Sequence, residues 1–193
     1  MPRIVEPVVR QGALASMGQP ELPAGEHLIL RPWKEADVAS IVEAYAVADI
    51  QKWNLRTMDA DEAHEWIDSW SAAWQAETDA CWAIARRSDG SVVGRIALRQ
   101  ISLEAGSAEV TYWVLPKGRR EGVASEAARS VSRWAFEIIG FHRLDLHHSV
   151  RNESSCGVAI RAGFELEATL QSYLKHADGW HDMHLHALIN GNN

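Results

Sequence analysis

Apolar positions fall into short strand-like runs interleaved with stretches of helical spacing. His27-Leu28-Ile29-Leu30-Arg31 reads as a strand, and Val38, Ile41, Val42 and Tyr45 then recur at helical spacing behind Asp37 as N-cap. Asp59-Ala60-Asp61-Glu62 has the form of a capping box. Trp66, Trp70 and Trp74 follow it four residues apart with Ile67 beside them, which predicts a helix with an aromatic stripe turned to the core. Two strand-like runs, 81–87 and 92–100, are joined by Ser88-Asp89-Gly90-Ser91, and Asp-Gly is a strong hairpin signal. A third strand, 108–115, comes after a turn at Gly106, so the middle of the chain predicts an antiparallel meander.

From 122 to 139, Ala127, Val131, Trp134 and Ile138 return to helical spacing, with Gly140 just past the end. A strand over 142–150 follows, then a helix over 153–162 behind Asn152 and ended by Gly163, then strands near 165–175 and 181–189 around Asp178-Gly179. This order predicts an α/β, or α+β, mixed sheet, with a parallel crossover from strand 108–115 through the helix to strand 142–150. Five of the six prolines lie in the first 32 residues, so residues 1–25 are expected to form an extended arm and 26–193 a single domain.

Composition narrows the function classes. With 193 residues, 47% hydrophobic and 23% charged, the chain has the make-up of one globular unit that buries roughly 70% of its unfolded surface. Its two cysteines, Cys81 and Cys156, form no CxxC pair, which argues against a disulfide framework and a zinc knuckle and for a reducing, cytoplasmic setting. The net charge of −7 has the wrong sign for a general nucleic-acid or anionic-membrane binder. No stretch reaches the length of a membrane span, and Glu6 and Pro7 interrupt the apolar residues of the start, which lacks a signal peptide's apolar region.

Chemistry concentrates between residues 108 and 127. There a strand runs into a loop carrying Lys117, Arg119 and Arg120, then into a helix that begins with the small residues Gly122 and Ala124. Unpaired N–H groups of a helix start beside positive charge make an anion site. The spacing is neither a Walker A loop nor GxGxxG, which disfavours a nucleotide triphosphatase or a dinucleotide enzyme.

Arg119-Arg120-Glu121-Gly122-Val123-Ala124 resembles the [Q/R]-x-x-G-x-[G/A] phosphate loop of the GCN5-related N-acetyltransferases (GNAT). The strand 108–114, Arg143-Leu144, Asn152-Glu153-Ser154-Ser155, Ala162-Gly163-Phe164, Gly179-Trp180-His181-Asp182 and Leu30-Arg31-Pro32-Trp33 extend the likeness over roughly residues 27–190, in the manner of the RimJ/RimL-type branch. The resemblance implies a GNAT fold: a mostly antiparallel central sheet, flanked by helices, with one parallel pair splayed to hold an acyl-CoA. It further implies transfer from acetyl-CoA, or a related donor such as succinyl-CoA, to a small-molecule amine or a protein N-terminus. The diphosphate would rest on the loop matching Arg119, Arg120, Gly122, Val123 and Ala124. The pantetheine would follow the strand at Trp113, Val114 and Leu115, with Asn152 bonding it.

An amine must lose a proton before or during attack, and Glu109, similar to the strand glutamate that serves as base in several branches, is the candidate. A salt-bridged strand carboxylate is the competing explanation. The tyrosine that many members carry shortly before Gly-Phe is replaced here by Val158, Ala159 and Ile160. Ser155 matches the serine of the RimL-type branch and is the candidate for assisting the leaving thiolate, against an ordinary polar residue in a first helical turn. Trp53 and Arg56, in a loop around 50–58, are expected to wall the acceptor site together with the last hairpin. Trp180 is left for a subunit contact, as in a homodimer, or for that wall.

On a strand, Asp182, His184 and His186 share one face with His181 opposite, and His147-His148 splits across faces, so only two imidazoles converge and no metal is expected. Cys156 is assigned to packing. The rival from another class is a non-catalytic acyl-CoA-binding regulator.

Overall fold

The computed structural model describes residues 5–191. The chain forms strands β1 (Leu22–Ala24) and β2 (Leu28–Arg31), then helices α1 (Val38–Ala46), α2 (Ala48–Asn54) and α3 (Ala60–Gln75). The meander β3 (Ala80–Arg86), β4 (Val92–Ser102) and β5 (Ser107–Val114) follows, then α4 (Val123–Trp134), β6 (Arg143–Ser149), α5 (Glu153–Ala162) and the hairpin β7 (Glu165–His176) and β8 (Gly179–Ile189). The strands make one eight-stranded sheet in the order β1-β2-β3-β4-β5-β6-β8-β7. Every neighbouring pair is antiparallel except β5 and β6.

That parallel pair is short. It joins Ser107 to Arg143, Ala108 to Leu144 and Glu109 to Asp145 and then stops. Beyond it β5 stays on β4 as far as Val114, and β6 stays on β8 as far as Ser149, so the sheet parts between residues 110–114 and 146–149. Each half keeps its own antiparallel ladder, and the edges facing the opening have no ladder partner there.

Alternation on β5 assigns its two faces. Ala108 and Val110 join Trp82, Ile96, Leu144 and Leu146 under α4, whereas Trp113 joins Ile41, Tyr45, Trp66 and Trp70 under α1 and α3. The tryptophans of α3 are buried, and Trp74, at the helix end, stacks on Trp134 at 5.9 Å between ring centroids. The Asp59 and Glu62 capping box forms, with reciprocal hydrogen bonds of 2.8 and 2.9 Å.

Asp37 does not cap α1 with its side chain. Its carboxylate accepts a bidentate pair from Arg31, at 2.7 and 2.9 Å, with both residues buried. The helix predicted through 139 ends as α at Trp134 and continues as a π-turn over Ala135–Ile139.

The described part of the first 25 residues differs from the expected extended arm, turning over 11–16 and packing on the domain. Val9 and Leu14 are buried, and the Glu77 carboxylate accepts hydrogen bonds from the N–H groups of Gly12 and Leu14 at 2.7 Å each. Leu22–Ala24 then adds an edge strand to β2, a position where Pro23 costs no ladder bond that the sheet requires. A three-residue strand among prolines gives no periodicity to read. Residues 1–4 of the expected arm lie outside the described residues. Among those described, no helix is long and apolar enough to cross a membrane.

Candidate active site

At the end of β5 the chain turns through Lys117, Arg119 and Arg120 into α4. Arg120 (φ 64°) and Gly122 (φ 76°) are both left-handed, a turn that gathers successive N–H groups toward one concavity. No side chain caps α4 at Gly122, so the first-turn N–H groups are left for an external acceptor. The loop's cations are held by carboxylates of the opposing helices: Lys117 Nζ lies 3.2 Å from Glu43, and Arg119 Nη1 lies 2.8 Å from Asp49. Arg119 Nε also donates to the Val114 carbonyl at 3.3 Å. Trp113 and Leu115 are buried, so the edge of β5 offers main chain rather than their side chains. A separate cavity of about 880 Å³ beside Glu121 and Val123 includes no residue of the parted strands.

The opening between β5 and β6 has different chemistry on its two faces. On the α1–α3 face, Glu109 Oε1 lies 3.3 Å from His147 Nδ1, and His147 stacks on Tyr173 at 5.9 Å. The hydrogen bond with Glu109 is the main influence on the imidazole and holds its pKa above the usual histidine value. On the α4–α5 face, Asn152 caps α5 by accepting from Ser155 N, and Ser155 Oγ lies 2.6 Å from the hydroxyl of Tyr112. Burial is the main cause that pushes the Tyr112 phenol up to about 12.

The structure thus brings Glu109 and Ser155 to opposite faces of one opening and adds a partner to each. Alternation from Glu109 could not show His147 because it sits on another strand. Tyr112 was visible in the sequence one residue from Trp113, but nothing there places its hydroxyl on α5.

The two residues expected to wall the acceptor site lie apart. Residues 48–54 form helix α2 rather than loop, and Trp53 packs edge-on against His176 and His181 of the last hairpin, at 5.7 and 6.4 Å. Arg56 instead lines a depression on α3 with Glu62, Glu65 and Trp66. Nearby, Ser149 Oγ, His181 Nδ1, His181 Nε2 and Asp178 Oδ1 are linked in a chain of 2.8 and 2.7 Å contacts. The order imitates a nucleophilic triad, but Ser149 is 2% exposed and its oxygen also accepts from Arg151 N, so the chain works as a clamp between β6 and the β7–β8 turn.

The histidine arrangement corrects the expectation that two imidazoles converge. His148 lies directly across from His184 in the β6–β8 ladder, and Cys156 of α5 completes a group with His186. Ligand atoms of these four residues all lie within 4.8 Å of one another. Asp182 is engaged elsewhere, accepting from Ser172 N at 2.7 Å.

Comparison with known proteins agrees with this geometry. Residues 27–165 match the family model described as Acetyltransferase (GNAT) domain. The uncharacterized N-acetyltransferase YoaA of Bacillus subtilis (strain 168) is 24% identical over 166 residues, covering 85% of this chain and 94% of that one. Among solved structures, the ribosomal-protein α-N-acetyltransferase RimL in complex with coenzyme A superposes with a TM-score of 0.82 at 18% identity, over 90% of this chain and all of that one. Mycobacterium smegmatis RimJ, in complex with a CoA-disulfide, gives 0.78 at 24% identity, over 88% and 86%. An uncapped α4 start, a glycine at the left-handed turn and a parted parallel pair fit the diphosphate and the extended arm of acetyl-CoA, and with the family match they make the chain a member of the GNAT family and an acetyl-CoA-dependent N-acetyltransferase.

Proposed function

We propose that the chain acetylates a primary amine by direct attack on the thioester in the opening between β5 and β6, with Glu109 as base and Ser155 at the departing sulfur. The observation that carries this reading is the division of the opening: a carboxylate with an imidazole on one face, two hydroxyls in contact on the other. An amine entering from the Glu109 side meets the carbonyl carbon of a thioester whose sulfur points toward α5. As the C–N bond forms, the amine proton passes to Glu109. Collapse of the tetrahedral intermediate breaks the C–S bond, and Ser155 Oγ donates a hydrogen bond to the thiolate. The main-chain edge of β5 near Trp113 and Val114 is the candidate donor to the oxyanion. Arg119, which pairs with Asp49 of α2, is the loop cation assigned to the diphosphate.

A protein N-terminus is the favoured acceptor class. An α-amino group titrates near roughly 8, against roughly 10.4 for lysine, so it presents far more free base to a carboxylate at neutral pH. The structural likeness to RimL, named as an α-N-protein acetyltransferase, supports the same class. The non-catalytic regulator gains no support from the comparisons.

The test follows thiol release from acetyl-CoA and from succinyl-CoA with peptides bearing a free or a blocked α-amino group. Glu109→Gln is expected to lower kcat on the order of 10²–10⁴-fold while calorimetric affinity for coenzyme A is unchanged. Equal turnover in the variant removes Glu109 as base, and equal use of blocked, lysine-bearing peptides removes the N-terminal acceptor.

A further inference from the structure

The acyl-transfer reading leaves the group of His148, Cys156, His184 and His186 without a task. We propose that these four residues form a tetrahedral site for a zinc-class divalent transition-metal ion, which pins the first turn of α5 to strands β6 and β8.

Three elements supply the donors: β6 gives His148, β8 gives His184 and His186, and α5 gives Cys156. Tetrahedral zinc with nitrogen and thiolate ligands sets its donor atoms about 3.3–3.6 Å apart, from bonds of about 2.0–2.3 Å. The four ligand atoms already lie within 4.8 Å of one another, and His148 Nε2 is 3.1 Å from His186 Nε2. Closing the group on an ion therefore needs side-chain adjustments of about 1 Å and no change of register.

His148 is oriented for this. Its Nδ1 lies 2.8 Å from the Ser149 carbonyl, which can only accept, so Nδ1 carries the hydrogen and the Nε2 lone pair faces the group. A main-chain carbonyl on the far nitrogen is the usual outer support of a metal-bound imidazole. His184 Nδ1 is a buried nitrogen without a hydrogen-bond partner, which a metal bond, or rotation of the ring onto one, relieves. No carboxylate belongs to the group, and the mix of imidazole with one thiolate selects zinc, cobalt or copper over magnesium or calcium.

A metal here would hold the turn that presents Asn152 and Ser155, because Cys156 follows Ser155 directly. The experiment titrates untagged, chelator-treated, reduced protein with Co2+ and reads its absorption. One equivalent bound per chain, with the intense visible bands of tetrahedral cobalt and a thiolate-to-cobalt charge-transfer band, is the expected result. Cys156→Ser should abolish the charge-transfer band. His184→Ala should weaken binding by more than the roughly 10–100-fold typical of losing an outer support. Both positions are only half-buried, and circular dichroism verifies that each variant is folded. Zn2+ should displace the cobalt and raise the Tm of the wild-type chain but not of the double variant. Folded protein that takes up no cobalt, an octahedral spectrum without the thiolate band, or binding unchanged in the double variant overturns the site. None of these readouts depends on acetyl transfer.

Discussion

In the proposed mechanism Tyr112 and Ser155 take a role that related enzymes give to a tyrosine elsewhere. The helix position where a tyrosine is common in related enzymes holds Val158, Ala159 and Ile160, yet a phenol from β5 reaches within 2.6 Å of Ser155 Oγ. With its pKa pushed up to about 12, chiefly by burial, that phenol stays protonated at any physiological pH. It is therefore a poor source of a whole proton for a thiolate, and the proposed mechanism uses it as a donor to Ser155, which in turn donates to sulfur. On that mechanism Tyr112 is a positioning residue acting through Ser155. Ser155→Ala should lower kcat roughly 10²-fold with acetyl-CoA KM little changed, and Tyr112→Phe should cost less. The double variant should be no worse than Ser155→Ala alone, because the second hydroxyl has lost the group through which it acts. Multiplicative losses, measured as kcat at saturating donor, would assign the two hydroxyls separate tasks.

Among the elements, the β5–loop–α4 unit is the proposed seat of the donor, and Gly122 is held there by its backbone conformation. A Cβ at Gly122 would meet only Ser125 Oγ, at 3.9 Å, so space is not the limit; the φ of 76° is. A β-branched residue there must either hold a left-handed conformation at a cost of about 1–2 kcal/mol or rotate the N–H groups away from the diphosphate. Gly122→Val is expected to raise acetyl-CoA KM about tenfold, since a decade corresponds to about 1.4 kcal/mol, with the acceptor KM unchanged. Steady-state kinetics with an unchanged donor KM would exclude the loop as the diphosphate seat. This unit was legible in the sequence because strand alternation, a basic loop and a small-residue helix start are local signals. The α5 boundaries were legible for the same reason: Asn152 and Gly163 punctuate both ends. What stayed hidden depends on register between distant strands. His147 meets Glu109, and His148 meets His184, only because β6 lies between β5 and β8, an arrangement that no window of sequence contains. Strand β1 was hidden for a different reason, since its identity comes wholly from pairing with β2.

At the scale of the molecule, both ends of the chain are fastened by ionisable groups, and this sets how stability responds to acid. The N-terminal segment is tied to the end of α3 by Glu77. Burial alone would raise that carboxyl's pKa, but hydrogen bonds from the main chain of Gly12, Leu14 and Ala15 outweigh it and leave the pKa lowered. The C-terminal hairpin is tied by Glu167, lowered mainly by its hydrogen bond from Arg143, and by Asp178, which burial raises but the contact with His181 and other favourable interactions bring below its usual value. His176, against Trp53 and His181, is lowered by burial. All four groups bind protons less readily when folded, so the unfolded chain takes up more of them as pH falls, and stability must fall with it. The loss begins near the unfolded histidine value of 6.5 through His176 and continues below the unfolded carboxylate values of 4.5 and 3.8 through Glu77, Glu167 and Asp178. His147 has the opposite sign: its raised pKa gives stability that is complete below 6.5 and fades as pH rises through its folded value. Thermal unfolding of chelator-treated protein should therefore show Tm declining in two stages as pH is lowered. His176→Phe should diminish the upper stage, to which the lowered His148 and His186 also contribute, and leave the lower one, whereas Glu77→Gln should lower Tm at neutral pH and shrink the lower stage. A Tm that stays level until all the carboxylates titrate would mean that His176 meets water in the folded chain and that Trp53 does not cover it.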